Sequence, residues 1–359
     1  MPDVLLFGAT GYTGRLTAHA LARRGIDFAI AGRNRSKLEE LARSTGADPD
    51  VRIAQVGDVA GLVDALKDVK VMITCVGPFM EMGDTAAEAA LRARVHYIDS
   101  TGETTFIQRL ISEYDERARA ANIAMAPAMG FDEVPADSAA TLATQDFDQA
   151  ELVLTYAIPS TGSRGTVVST IGIIAGEGQW IRDGKPINIR PGTSTRWSPM
   201  PAPLGPKKAM GFPLAEGVLA PLHLDLKDLE LYVTTGTVQE LAARVGLPVL
   251  RLLNSTGVGE RLMRAMLSRL PEGPDEKGRQ ARWTVLAEAH SGDRWRNVAI
   301  SGSDVYGLTA EFLSVGATKM LEPSFSCKGV VSPVQVAGIE TWQKEFSAHD
   351  VSVDVFEER

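Results

Sequence analysis

Three glycines, Gly8, Gly11 and Gly14, stand directly behind an apolar run, Val4–Phe7, and directly ahead of a stretch with helical periodicity. That order constrains the chain more than any other feature. Glycine at the first position permits a tight turn, at the second it lets backbone approach an anion, and at the third it lets helix pack closely on strand. The helix N-terminus then presents unsatisfied amides and the positive end of its dipole. With a strand before and a helix after, the spacing predicts a dinucleotide-binding loop made by Gly8, Thr10, Gly11, Tyr12, Thr13 and Gly14.

The rest of the amino-terminal third agrees with that start. Short apolar runs at 4–7, 28–31, 51–56, 71–76, 95–98 and 123–127 alternate with helix-like segments near 14–24, 36–44, 59–67, 84–93 and 104–121. Alternation of this kind predicts an α/β fold, a Rossmann-like doubly wound parallel sheet with helices on both faces. Ser36 and Glu39 form a capping-box pattern, and Gly25 stands where a helix end requires a positive φ.

Nineteen residues after Gly14, where an NAD site usually carries an acidic residue at the end of the second strand, the chain reads Ala31, Gly32, Arg33, Asn34, with Lys37 one helical turn on. A guanidinium offers a fork that fits a ribose 2′-phosphate, and Lys37 adds charge. A cation at a helix start opposes the dipole, so a bound phosphate explains Arg33 better than solvation does. NADP(H) is the expected cofactor. Asp58, after the third strand, stands where an adenine edge is expected. Val76, Gly77 and Pro78 follow the fourth strand at the crevice, where Gly77 permits close approach to a ribose and Gly-Pro equally makes a strand stop.

Length and charge restrict the remainder. The 359 residues exceed one ordinary core, and the formal charge of −8 leaves no basic field for nucleic acid. No run is long and apolar enough for a spanning helix. Residues 3–8 already read as a strand with no leader-like pattern before them, so a cytoplasmic setting is the expectation. The 2 cysteines, Cys75 and Cys327, build no disulfide framework, and the 5 histidines are scattered, so no metal site is expected.

After residue 135 the period changes. A helix, 136–144, leads to a long apolar strand, 150–158, and then to an apolar helical stretch opened by Arg164. Residues 186–221 are dense in proline (Pro186, Pro191, Pro199, Pro201, Pro203, Pro206, Pro213, Pro221), which predicts a long loop, either a lid or a stiffened wrap. A strand over 222–233, helices within 238–270, a charged linker at 271–280, a hairpin around Ser291 and a helix over 306–321 follow. The expected organisation is a dinucleotide-binding domain, 1–135, rejoined by 303–359, with an inserted α+β substrate domain, 136–302. Arg164, Arg190, Arg196, Trp180 and Trp197 are its candidate substrate contacts.

No Tyr is followed four residues later by Lys, no cysteine sits in a nucleophile context, and there is no Gly-x-Ser-x-Gly elbow. The chain resembles the saccharopine dehydrogenase-like oxidoreductase family, and within it the trans-acting enoyl reductase branch. The likeness rests on Gly8–Arg15, Ala31–Asn34, Val76–Phe79, Tyr97–Glu103, Gly130–Asp137, Gly165–Ser169, Gly273 to Glu276 with Arg279, Tyr306–Ala310 and Gly329–Pro333. The loop departs from the Gly-x-Gly form of saccharopine reductases, which speaks against an amino-acid substrate. The resemblance implies a Rossmann domain, an inserted substrate domain and NAD(P)H-dependent reduction.

The expected chemistry is hydride transfer to a C=C (enoyl) or C=N bond of an acyl-chain or small organic substrate. Carboxyl and phenol groups after the fifth and sixth strands, Tyr97, Glu103 and Asp132, are the candidate proton donors, although Glu103 also suits a helix start and Asp132 a cap. Two other readings stand beside the enzyme: a non-enzymatic NADP(H) sensor and a lipid-associated homologue without turnover. A homodimer stays open.

Overall fold

Strands β1 (Val4–Phe7), β2 (Phe28–Gly32) and β4 (Val71–Thr74) are buried along their whole length, which explains why they read as continuous apolar runs rather than alternating ones. The computed structural model describes residues 1–131, 133–158, 177–235, 273 and 276–357, and divides into two compact units. In the first, β3 (Asp50–Ile53), β5 (His96–Asp99), β6 (Ala124–Ala126) and a short late strand, β15 (Gly329–Val330), complete a seven-stranded sheet whose pairings are parallel. The order is late strand, β6, β5, β4, β1, β2, β3, so the chain reverses direction across the sheet between β1 and β4. A crevice outside the carboxyl ends of those strands follows from that reversal.

Helices α1 (Tyr12–Arg23), α2 (Arg35–Thr45), α3 (Val59–Ala65) and α4 (Phe79–Ala93) connect the first strands. Gly25 holds φ +67° just past α1, as its position requires. The Ser36–Glu39 capping box does not form: Asn34 is the cap, its Oδ1 accepting from the Lys37 amide at 3.1 Å, which leaves Ser36 inside the first turn. The helix expected over 104–121 is split by a π turn at Leu110–Tyr114.

The second unit is built on a nine-stranded mixed sheet. Its centre is β7 (Ala150–Ala157), parallel to β12 (Leu226–Thr234) and antiparallel to β13 (Trp283–Ser291), which forms a hairpin with β14 (Arg294–Gly302). The proline-dense segment is no long loop. It contains β8 (Gly178–Arg182) and β9 (Lys185–Ile189), then β10 (Thr195–Ser198) and β11 (Lys207–Gly211). Pro186 is tolerated because β9 pairs on one side only, and Pro199, Pro201, Pro203 and Pro206 all fall in the link between β10 and β11. The helices expected within 238–270 lie outside the described residues.

The carboxy-terminal return is shared between the units. Residues 304–342 join the first, where the helix Val305–Met320 packs Phe312 edge-on against Trp342 at 5.5 Å. From Gln343 onward the chain belongs to the second unit instead of the first, because its last strand, β16 (Ser352–Glu357), pairs antiparallel with β14. The described residues between Pro135 and Ser303 all belong to the second unit, which also takes in Glu103–Thr105.

One ion-pair cluster ties α1 to the returning helix. Glu311, whose side chain is 10% exposed, accepts from Arg23 Nη2 at 2.5 Å and from Arg24 Nη2 at 3.0 Å and Nε at 3.2 Å. Burial alone would raise the Glu311 pKa, but the two guanidiniums outweigh it and hold the carboxyl below its ordinary value. A lowered folded-state pKa contributes stability that is fully present above the unfolded value and lost as pH falls through the folded one. Glu311→Gln therefore lowers the unfolding free energy by about 2 kcal/mol at neutral pH. Urea titrations of both proteins across the acid range show that deficit shrinking once pH drops below about 4.

Candidate functional site

The site begins with a steric demand at the end of β1. Gly8 holds φ +82°, and a Cβ there would come within 2.6 Å of Val76 Cγ2. At Gly14 a Cβ would lie 2.3 Å from the Gly8 carbonyl oxygen and 2.9 Å from Ala9 backbone. Both positions accept only glycine without moving backbone. The Gly11 amide donates to Gly8 O at 3.1 Å and closes the turn. Gly11 is also the N-cap of α1, in extended conformation, and no side chain caps the helix there. The first-turn amides of α1 thus receive no side-chain acceptor from the cap, and they open beside a cleft of about 400 Å³, within the usual range for a small-ligand site. An anionic pyrophosphate fits this cradle.

Gly8, Thr10, Gly11, Arg33, Val76 and Gly77 line the cleft, all expected from the sequence. Arg33 is exposed and forms no ion pair among the described residues. Gly14 acts one layer back, as the contact that seats α1. Tyr12 meets Tyr306 edge-on at 5.2 Å, and the Thr13 carbonyl accepts from Thr17 Oγ1 at 2.9 Å. Asn34 and the Lys37 amide form the α2 cap, and the Lys37 side chain is exposed. Pro78 is the N-cap of α4. Asp58 is corrected: its Oδ1 accepts from the Gly61 amide at 2.8 Å as the cap of α3, while Ala54, Gln55 and Val56 line the cleft at that point. Gln55, Gly32 and Met82 also line it without having been expected. Met82 escapes notice because α4 starts at Phe79 rather than 84, which brings its first turn to the cleft.

Cys75 also lines the cleft, and burial pushes its thiol up to about 12, outweighing a Thr17 hydrogen bond. It is a neutral wall group at physiological pH and no nucleophile. Among the described residues that line this cleft there is no carboxylate, His, Lys or Tyr.

The expected proton donors fare differently. Tyr97 is fully buried, and its hydroxyl donates to Asp99 Oδ2 at 2.6 Å. Burial first, and the Asp99 charge second, push its pKa well above the ordinary phenol value. Asp99 Oδ1 accepts from the amides of Thr101 at 2.8 Å and Ala128 at 2.9 Å. Tyr97 is therefore corrected from proton donor to anchor: it completes a carboxylate that pins the segments following β5 and β6. Glu103 is buried, belongs to the second unit and is not among the residues lining the cleft. Asp132, like Arg164, lies outside the described residues.

In the second unit, Asp137 is fully buried and contacts His223 Nε2 at 2.6 Å. Arg190 pairs with Glu177 at 2.5 Å, Arg196 pairs with Glu288 at 3.0 Å, Trp180 packs on Tyr232 at 5.3 Å, and Trp197 is exposed. Among the described residues no group of three or more His, Cys, Asp or Glu is placed to hold a metal ion, and no helix is long and apolar enough to cross a membrane.

Comparison with known proteins agrees with the cleft. Residues 4–126 match the model of the saccharopine dehydrogenase NADP binding domain. A lipid droplet localized protein of Caenorhabditis elegans is 30% identical over 156 residues, 40% of this chain and 37% of the relative. A putative trans-acting enoyl reductase of Mycobacterium tuberculosis is 34% identical over 141 residues, 38% of this chain and 33% of the relative. The matched region thus spans about a third of either relative's length. Apo saccharopine dehydrogenase (L-Glu forming) of Saccharomyces cerevisiae aligns over 100% of both chains with TM-score 0.65 at 12% identity, which establishes likeness of fold.

The anchoring role of Tyr97 separates stability from binding. Tyr97→Phe strips a donor from a buried carboxylate and lowers the unfolding free energy by about 1.5–3 kcal/mol. NADPH affinity, followed by nicotinamide fluorescence on the folded variant, stays at the wild-type value.

Proposed function

We propose that the chain is an NADP(H)-dependent oxidoreductase reducing a C=C (enoyl) or C=N bond of an acyl-chain or small organic substrate, a reading supported by the match of residues 4–126 to the model of the saccharopine dehydrogenase NADP binding domain. The observation that carries the reading is Arg33: an exposed cation with no ion-pair partner among the described residues, on the wall of a cleft whose floor is a glycine-built anion cradle. The partial likeness to the mycobacterial reductase supports the enoyl side of the proposal.

Bound NADPH supplies the hydride. The protein's own groups bind and orient. The α1 N-terminus and Gly11 receive the pyrophosphate, with the helix dipole adding attraction for its charge. Arg33 would hold the ribose 2′-phosphate, its guanidinium offering the paired N–H donors that an ammonium lacks. Gly77, following β4, lets backbone close on the ribose carrying the nicotinamide. Cys75 and Met82 keep that wall uncharged. No acid is among the described residues lining this cleft, and the proton that accompanies hydride transfer is drawn from water or from a group that is not one of them.

Two measurements test the reading. NADPH oxidation is followed by absorbance with panels of enoyl thioesters and imino acids; consumption with one panel is expected, and tight NADPH binding without turnover on either panel replaces the enzyme with a sensor. Separately, Arg33→Ala weakens NADPH binding about 10- to 100-fold, the loss of one or two charge-assisted hydrogen bonds, and leaves NADH binding unchanged. Equal loss for both cofactors would remove the 2′-phosphate assignment.

A further inference from the structure

The mixed sheet of the second unit ends on β16, which pairs with β14 alone among the described residues. Its outer side presents a row of backbone N–H and C=O groups that another extended chain can pair. Edge strands guarded against such pairing are short, bulged or broken by proline, or carry charge along the edge. β16 is 6 residues long, contains neither proline nor glycine, and keeps an unbroken register with β14 from Ser352 to Glu357. Of its acidic residues, Glu357 is already bonded to Arg296 of β14 at 2.8 Å, which leaves Asp354 as the edge's remaining charge. Val355 and Phe356, adjacent and on opposite faces, are 52% and 45% exposed, so both faces of this edge leave a large apolar side chain in water.

Two copies of this edge fit each other in one register. Facing side chains of an antiparallel pair point to the same side of the sheet, so a two-fold axis through a continuous sheet passes where a residue meets its own copy. An axis at Val353 or Phe356 overlaps only 352–354 or 355–357, whereas one at Asp354 or Val355 overlaps 352–356 or 353–357. The axis at Asp354 sets two carboxylates directly opposite each other, which is destabilising. The axis at Val355 sets Val355 against Val355, Phe356 against Asp354 and Val353 against Glu357, with no like charges facing. There the two Asp354 side chains are diagonal neighbours, about 7–8 Å apart, exposed and screened by salt. Asp354 and Phe356 also wall a cavity of about 410 Å³ with Leu286, Pro199 and Pro201, so Phe356 of the second copy meets Asp354 on the cavity side of the sheet.

We propose that β16 is the surface through which two copies of this chain associate, pairing antiparallel with its own copy across a two-fold axis at Val355 so that one sheet runs through both second units. Each copy uses the same edge, so the assembly closes at two. The opposite end of the sheet, β10, has 4 residues and would pair with only part of β16, and a head-to-tail contact of that kind builds open chains instead. A single pair of strands lies at the small end of protein interfaces, so the association is reversible and depends on concentration. It draws on no residue of the cofactor cleft and is tested without NADPH.

Sedimentation velocity of the full chain, from low micromolar to submillimolar concentration, is expected to show reversible passage from one copy to two. Val355→Lys and Val355→Glu each place like charges opposite one another and weaken dimerisation about 10- to 100-fold. Mixed in equal amounts, the two variants recover dimers at concentrations where each alone is monomeric, because the facing charges are then opposite. Phe356→Glu, which faces Asp354 of the second copy, weakens the dimer more than Phe356→Lys does. Circular dichroism reports whether each variant is folded, and the Phe356 pair decides if the Val355 variants do not fold. A wild-type chain monomeric throughout, assembly that continues past two copies, folded charge variants that dimerise like the wild type, or a mixture no better than its components would overturn the proposal.

Discussion

Everything in the first unit rests on one contact between backbones. The helix after β1 comes so close to the preceding turn that no Cβ fits at Gly14, where it would stand 2.3 Å from the Gly8 carbonyl oxygen. That approach brings the first-turn amides of α1 down beside the end of β1. The anion cradle is therefore a by-product of close packing, formed before any ligand arrives. Gly8 adds the complementary restriction from the neighbouring strand, since a side chain there would strike Val76. Two glycines thus link the pitch of a helix to the width of a cleft.

A second buried device acts on the same edge of the sheet. Asp99 ends β5, and its carboxylate collects the hydroxyl of Tyr97 and the amides of Thr101 and Ala128. Its own carbonyl accepts from Met129 at 2.8 Å. One fully buried carboxyl group with three donors fixes two consecutive crossover segments where irregular backbone would otherwise carry unpaired groups.

How much of this was legible in the sequence depended on whether the physical cause was local. β1, β2 and β4 were readable because burial on both faces writes an uninterrupted apolar run. Gly8, Gly11 and Arg33 were readable because turn, cap and strand end each select a residue type. Pro186, by contrast, reads as a strand breaker until the pairing shows β9 bonded on one side only. Tyr97 reads as a candidate acid because its rank in the chain says nothing about where its hydroxyl turns. Gln55 and Met82 carry no chemical signature at all; they reach the cleft because β3 ends at Ile53 and α4 begins at Phe79. The destination of the last strand was equally hidden, since its partner β14 lies about fifty residues earlier and no local pattern names it.

The two sheets solve opposite problems, and the contrast explains where chemistry can reside. The parallel sheet is covered on both faces, so its polar groups are confined to the ends of strands, where amides and a single guanidinium gather at the reversal between β1 and β4. In the mixed sheet β7 and β13 keep one face apolar, through Leu152, Leu154, Val285 and Ala287, while the other carries Thr155, Glu288 and Asn297 among apolar neighbours. Buried acceptors there are not needed for the sheet's own hydrogen bonds, which run through the backbone. Apolar residues of the same volume would stabilise the fold at least as well. Glu288 on that face answers to Arg196 of β10, a partner distant in sequence, whereas the glycines of the first unit answer to backbone beside them in the chain.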